Sequence, residues 1–121
     1  AVRLPIEFRR ENGRRVLDTG ALLRAALDSL ERGTPRRHIA AAVQQAIAQG
    51  LAELAVSAAR EVGIDAVGVS GGVFYNDAIA RAVKQEVQRH GLRFCAHREV
   101  PPGDGGLSVG QAALALTLLE R

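Results

Sequence analysis

The chain has 121 residues, room for one hydrophobic core and too little for two. It is 47% hydrophobic with mean hydropathy +0.02, so a disordered or strongly polar chain is excluded. The single cysteine, Cys95, excludes an internal disulfide and any zinc-finger spacing.

No apolar run reaches the roughly 18 residues of a membrane-spanning helix, and no charged-then-apolar leader opens the chain. The expectation is a cytoplasmic protein without a membrane partner. A start at Ala1 instead of Met suggests trimming, or a piece cut from something longer. With 16 basic and 13 acidic residues the net charge is +3. Nearly all of the positive charge is arginine, in the pairs Arg9-Arg10, Arg14-Arg15 and Arg36-Arg37, with Lys84 the lone lysine. That pattern fits a phosphate-contacting stripe. It fits a solvated surface better, because acids are interspersed throughout. A stacking set is also missing, with 3 Phe, 1 Tyr and no Trp. Nucleic acid is therefore not expected as a partner.

Residues 2–8 alternate, with Val2, Leu4, Ile6 and Phe8 on one face and Arg3, Pro5 and Glu7 on the other, which predicts a half-buried edge strand. Asn12-Gly13 predicts a type I′ turn, with Arg14–Leu17 returning as the partner strand. Asp18 or Thr19 caps a helix running to about Arg32, with Leu23, Leu27 and Leu30 as its buried stripe and Gly33 ending it. Thr34-Pro35 starts the next helix with a capping hydroxyl and a first-turn proline. Its core face is expected to be Ile39, Val43, Ile47, Leu51, Leu54, Ala58 and Val62, closed by Gly63. Gly50, in the middle, predicts a close approach of another element.

The period then changes. Ile64 to Val69 reads as a buried strand that empties into Ser70-Gly71-Gly72. Asp77–His90 is helical, with Ile79, Ala82, Val83 and Val87 inward; Leu92–His97 is a strand; and a loop from Val100 to Gly106 leads to a last helix, 108–119, expected to pack through Val109, Ala112, Ala113, Leu116 and Leu119. The order is a hairpin, two helices, then strand-helix-strand-helix, read as one α/β domain over residues 1–121 with a locally parallel sheet and a right-handed crossover.

In an open α/β sheet ligands bind beyond the carboxyl ends of the strands. Both glycine-rich loops follow a strand and precede a helix, so parallel strands would bring them to one edge. At the first loop Gly71 and Gly72 allow close backbone approach, and Ser70 and Asn76 add a hydroxyl and an amide suited to ribose or phosphate oxygens. The spacing equally fits a plain strand-to-helix turn. At the second loop Asp104 fits either a ligand to a cation shared with phosphates or a cap for the last helix. His38, His90 and His97 form no metal pair and read as surface or helix-end residues, and Cys95 as a lone buried thiol.

The run Ser70-Gly71-Gly72-Val73-Phe74-Tyr75-Asn76, followed by Pro101-Pro102-Gly103-Asp104-Gly105-Gly106-Leu107-Ser108-Val109-Gly110-Gln111, resembles the HypF family of carbamoyltransferases, which act in nickel–iron hydrogenase maturation. The family's signature is similar to SGGVFQN followed by PPNDGGLALGQ, and Leu4-Pro5-Ile6-Glu7 resembles its strand upstream. The resemblance implies one lobe of an actin-like ATPase fold, with ATP or carbamoyl-adenylate in the cleft between lobes. Ser70, Gly71, Gly72 and Asn76 would line the nucleotide side, and Asp104 would be this lobe's ligand to a divalent metal. The reaction implied moves a carbamoyl group from carbamoyl-adenylate to the C-terminal cysteine of a partner maturation protein. Tyr75 and Gly103 depart from the family's Gln and Asn, and the paired metal-binding histidines of the other lobe have no counterpart here. The chain is thus expected to need that missing lobe, in cis or in trans, and otherwise to self-associate through the surface left uncovered. The alternative is a non-catalytic nucleotide-binding or assembly module on the same scaffold.

Overall fold

The computed structural model of the chain describes residues 2–121. In chain order the elements are β1 (Phe8–Glu11), β2 (Arg14–Leu17), α1 (Thr19–Glu31), α2 (Arg36–Val62), β3 (Ala66–Gly68), α3 (Asp77–Arg89), β4 (Arg93–Cys95) and α4 (Leu107–Leu119). Short 3₁₀ turns occupy Gly72–Tyr75 and Asp104–Gly106. β1 and β2 pair antiparallel and β3 and β4 pair in parallel, as two separate two-stranded sheets.

Asn12 and Gly13 make the hairpin turn, both at positive φ (49° and 76°), as a type I′ turn requires. The expected strand over residues 2–8 is only partly formed. Val2, Leu4, Ile6 and Phe8 are half-buried and the residues between them exposed, but the ladder begins at Phe8. The reason is the partner: β2 ends at Leu17, and the chain turns at Asp18 to cap a helix, leaving Glu7 one last bond, its carbonyl accepting the Asp18 N–H at 2.8 Å.

Asp18 Oδ1 accepts the Ala21 N–H at 3.0 Å and is the cap of α1. Gly33, at φ 84°, follows its end. The leucine stripe expected to be buried is not: Leu23 is 61% exposed and Leu27 and Leu30 are also exposed, while Ala21, Leu22, Ala26 and Ser29 are buried. Both sets have helical spacing, and the set with small side chains, which allows the closer approach, is the one buried. Thr34 supplies no capping bond to α2, whose N-cap is Pro35.

The same preference governs α2. Its buried residues are Ile39, Ala42, Ala46, Ala48, Gly50, Ala52, Val56 and Ala59, whereas Leu51 and Val62, expected in the core, are exposed. As the central helix, α2 packs against α1, the hairpin, β3 and α3, so it has no single apolar stripe. Gly50 is the point of closest approach, since a Cβ there would lie 2.7 Å from Leu17 Cδ1. By length and composition α2 could cross a membrane, the one such helix among the described residues, but several of its faces are taken by these neighbours. Gly63, at φ 73°, ends it.

The core lies between α2 and α3, where Ala48, Ala52, Val56, Val83 and Val87 form one buried cluster. Val67, Phe74, Ile79, Ala82, Leu92 and Phe94 pack around it. β3 is shorter than the expected Ile64–Val69 and only half-buried, because a two-stranded sheet has few neighbours to cover it; Ile64 is exposed. α4 does not pack through Val109, Ala112, Ala113, Leu116 and Leu119, all of which are exposed. It lies against the turn before it and leaves its leucines bare.

Candidate functional site

Parallel pairing sets Ala66, Val67 and Gly68 against Arg93, Phe94 and Cys95, so both carboxyl ends open on one edge. Val69 N–H adds a rung to the Cys95 carbonyl at 3.0 Å. Beyond it the chains diverge, one through Ser70-Gly71-Gly72 into α3 and the other through residues 96–106 into α4. They meet again where the Gly71 N–H donates to the Pro102 carbonyl at 2.6 Å. A Cβ at Gly103 would lie 2.7 Å from Tyr75 Cε2, which places Tyr75 of the first loop against the second.

Between these loops is an open cleft of about 390 Å³, lined by Ser70, Gly71, His97, Gly103, Asp104, Gly110 and their neighbours. Gly71 holds φ 102° and ψ 162°, a conformation accessible essentially only to glycine. Gly72 and Asn76 belong to the same loop but are not in the cleft lining. A Cβ on Gly72 would meet nothing within 4 Å, so no part of the chain itself fills that space.

Each polar candidate has a definite place. Asn76 is a helix cap: its Oδ1 accepts the Ala78 and Ile79 N–H groups at 3.0 and 3.3 Å, and its Nδ2 donates to Gln44 Oε1 on α2 at 2.7 Å. The Ser70 hydroxyl lies 3.0 Å from His97 Nε2 and 3.4 Å from the Pro102 carbonyl oxygen. Asp104 opens the 3₁₀ turn before α4, and its side chain caps neither that turn nor the helix. No ion pair or hydrogen bond occupies this exposed carboxylate among the described residues, which removes the capping alternative.

No group of three or more His, Cys, Asp or Glu side chains is arranged to hold a metal among the described residues. Asp104 alone suits a hard cation that keeps its waters and shares phosphate oxygens. It does not suit a metal that needs a full set of protein ligands. Elsewhere, His90 is tied to Glu86 at 3.0 Å and to Arg60 at 3.3 Å at the end of α3. The neighbouring Arg89 guanidinium holds the Glu86 carboxyl below the usual range, against the effect of burial. At the opposite end of the parallel pair, Arg93 bridges to Asp65 at 3.0 Å and lowers its pKa in the same way. Cys95, expected to be buried, is exposed.

His97 is the cleft residue that sequence reasoning passed over as a surface histidine. The signal was available: continuing the β3–β4 register by two residues beyond Gly68 and Cys95 sets Ser70 opposite His97.

Residues 1–111 match the family model described as the second subdomain of the Kae1-like carbamoyltransferase domain. A probable carbamoyltransferase HypF of Methanocaldococcus jannaschii is 35% identical over 96 residues, which are 79% of this chain and 12% of that protein. A tRNA N6-adenosine threonylcarbamoyltransferase of Chlorobium limicola is 46% identical over 83 residues, 69% of this chain and 23% of that one. Among solved structures, full-length HypF in its phosphate- and nucleotide-bound form superposes with a TM-score of 0.88 at 29% identity, covering 98% of this chain and 16% of the other. HypF of T. kodakarensis superposes at 0.79 with 37% identity, covering 97% of this chain and 15% of the other. The chain thus spans between 12% and 23% of the length of these relatives.

Proposed function

The chain belongs to the HypF-type carbamoyltransferase family, as the second subdomain of its Kae1-like domain, and we propose that it is the nucleotide- and metal-facing lobe of such an enzyme. One observation carries the reading: the Gly71-to-Pro102 bond draws two loops around one cleft, with the free Asp104 carboxylate in its wall. Gly71 and Gly72 let the phosphate of ATP or of carbamoyl-adenylate approach the backbone closely. Asp104 would hold a divalent cation against those phosphate oxygens, and the cation would neutralise their charge. That HypF has been solved in a phosphate- and nucleotide-bound form supports the same ligand class here.

In the complete reaction the thiolate of the acceptor's C-terminal cysteine attacks the carbamoyl carbon. A carbon–sulfur bond forms, the bond from that carbon to the phosphate oxygen breaks, and AMP leaves. This lobe holds the departing nucleotide and supplies no nucleophile. Turnover requires the other lobe, in cis or in trans, and the acceptor, so the chain alone is inactive. The exposed apolar surface of α4 is where the rest of the protein would pack, and in its absence copies of the chain associate. The protein acts in the cytoplasm without a membrane or nucleic-acid partner. The protein-cysteine acceptor is preferred over the adenosine of tRNA because the family model that matches is the HypF-type one and both superposed structures are of HypF.

Calorimetry with ATP and Mg²⁺ tests this. The expected result is weak binding that Asp104→Asn reduces about tenfold, the loss of one charge-assisted ligand, and that strengthens when the remainder of a HypF-type protein is added. Absence of binding in both conditions would instead make the chain a non-catalytic assembly module.

A further inference from the structure

The Ser70 hydroxyl sits between two groups that restrict what it can do. Pro102 offers a carbonyl oxygen, which only accepts, 3.4 Å away. His97 offers Nε2 at 3.0 Å. A hydroxyl has one proton to give. If it gives that proton to His97, its oxygen is left facing the carbonyl lone pairs with no proton between them. If it gives the proton to Pro102 and accepts from a protonated Nε2, all three groups are satisfied. The second arrangement gives each of the three groups a partner and makes a chain from imidazole to hydroxyl to carbonyl. The same carbonyl receives the Gly71 N–H at 2.6 Å, so the chain ends on the bond that joins the loops.

We infer that His97 is a positioning residue: through Ser70 it straps the first glycine loop to the second and so holds the Gly71–Gly72 backbone and Asp104 to one ligand. The inference deepens the nucleotide reading above and rests on it for the identity of that ligand. It also changes the part given to Ser70. With its hydroxyl 3.0 Å from His97 Nε2, Ser70 transmits the hold of His97 to the first glycine loop. His97 and Ser70 both lie in the cleft wall with Asp104, so loosening the strap alters the cleft without touching the core between α2 and α3.

The test is a set of NMR measurements on the full chain, with ADP and Mg²⁺ as the binding probe. A long-range proton–nitrogen spectrum is expected to show His97 protonated at Nε2; a neutral ring protonated only at Nδ1 would overturn the inference. His97→Ala should speed exchange of the Gly71 amide about tenfold, as local opening becomes easier, while the melting temperature moves by no more than about 2 °C. His97→Gln, whose amide nitrogen can donate in place of Nε2, should restore the protection. ADP affinity should follow the same order, and the Ser70→Ala, His97→Ala double variant should bind no more weakly than either single one, because both remove one coupled device. If wild type binds no ADP yet Gly71 responds as stated, the nucleotide reading fails and the strap stands. If wild type binds ADP and His97→Ala leaves both affinity and Gly71 exchange unchanged, the strap fails.

Discussion

Asp104 has a carboxylate on a short turn with no group to pair with among the described residues, whereas most of the other acids discussed above are engaged. Asp18 is the contrasting case: the backbone N–H of Ala21, bonded to its side chain, holds its carboxyl below the usual range, with Arg24 and Arg9 adding to the effect. Asp65 and Glu86 are held low by Arg93 and Arg89 in turn. A carboxylate with a depressed folded pKa contributes stability above its unfolded pKa and loses it as pH falls through the folded one. The urea midpoint should therefore drop below about pH 4, the ordinary carboxylate range. Asp18→Asn keeps a capping oxygen but has no proton to take up, so its fall between pH 5 and pH 3 should be shallower than that of wild type. Equal slopes would show that the Asp18 cap is not formed in solution. Asn12 and Gly13 were fully legible at this scale, because two positive φ angles demand those residue types. Asn76 was legible as a polar residue of the first loop but its internal bonds were not: an Asn before a helix serves a cap and a ligand equally well, and only Gln44, 32 residues away in sequence, shows which bond its amide nitrogen makes.

Two helical glycines make opposite predictions. Gly50 in α2 abuts Leu17 and Ile6, so Gly50→Val should cost about 2 kcal/mol through overpacking, read as a lower urea midpoint. Gly110 in α4 would meet nothing within 4 Å with a Cβ, and Gly110→Ala should stabilise that helix by about 1 kcal/mol, read as slower amide exchange along α4. A neutral Gly50→Val would mean that the hairpin does not rest on α2. Gly50 was readable in advance because a mid-helix glycine has a cost that packing must offset. The buried faces were not readable. On α1 the stripe Leu22–Ala26–Ser29 and the stripe Leu23–Leu27–Leu30 have the same period, and hydrophobicity favoured the wrong one. On α2 the partners lie on several sides, so the small residues at each contact do not add up to one stripe. The parallel pair was legible from its punctuation, since two apolar runs each emptied into glycines and then a helix.

At the scale of the whole molecule the exposed leucines have a common meaning. Leu107, Leu114, Leu116 and Leu118 on α4 are more than half exposed, and Leu119 is 83% exposed. Of these, Leu116 and Leu119 were expected to pack inward, and the proposed function gives them a cover in the rest of a HypF-type protein; the chain spans between 12% and 23% of the length of the relatives compared above. Exposed apolar surface of this kind drives association. Light scattering behind a sizing column should show the chain growing in mass with concentration, and Leu116→Glu with Leu119→Glu should suppress the growth. A strictly monomeric profile for wild type would remove the argument that α4 awaits a cover. The candidate site has the same open character: Asp104 is the carboxylate in the lining of a cleft that opens to solvent, and no group of three or more potential metal ligands forms among the described residues.

The most direct measurement is a proton–nitrogen correlation spectrum of the labelled chain titrated with ADP and Mg²⁺. The prediction is that the amides of Gly71, Gly72, Gly103 and Asp104 move together along one binding curve while those of the hairpin and α1 stay still. Shifts confined to the arginine-rich hairpin, or none at all, would contradict the assignment of a nucleotide cleft to the carboxyl end of the parallel pair.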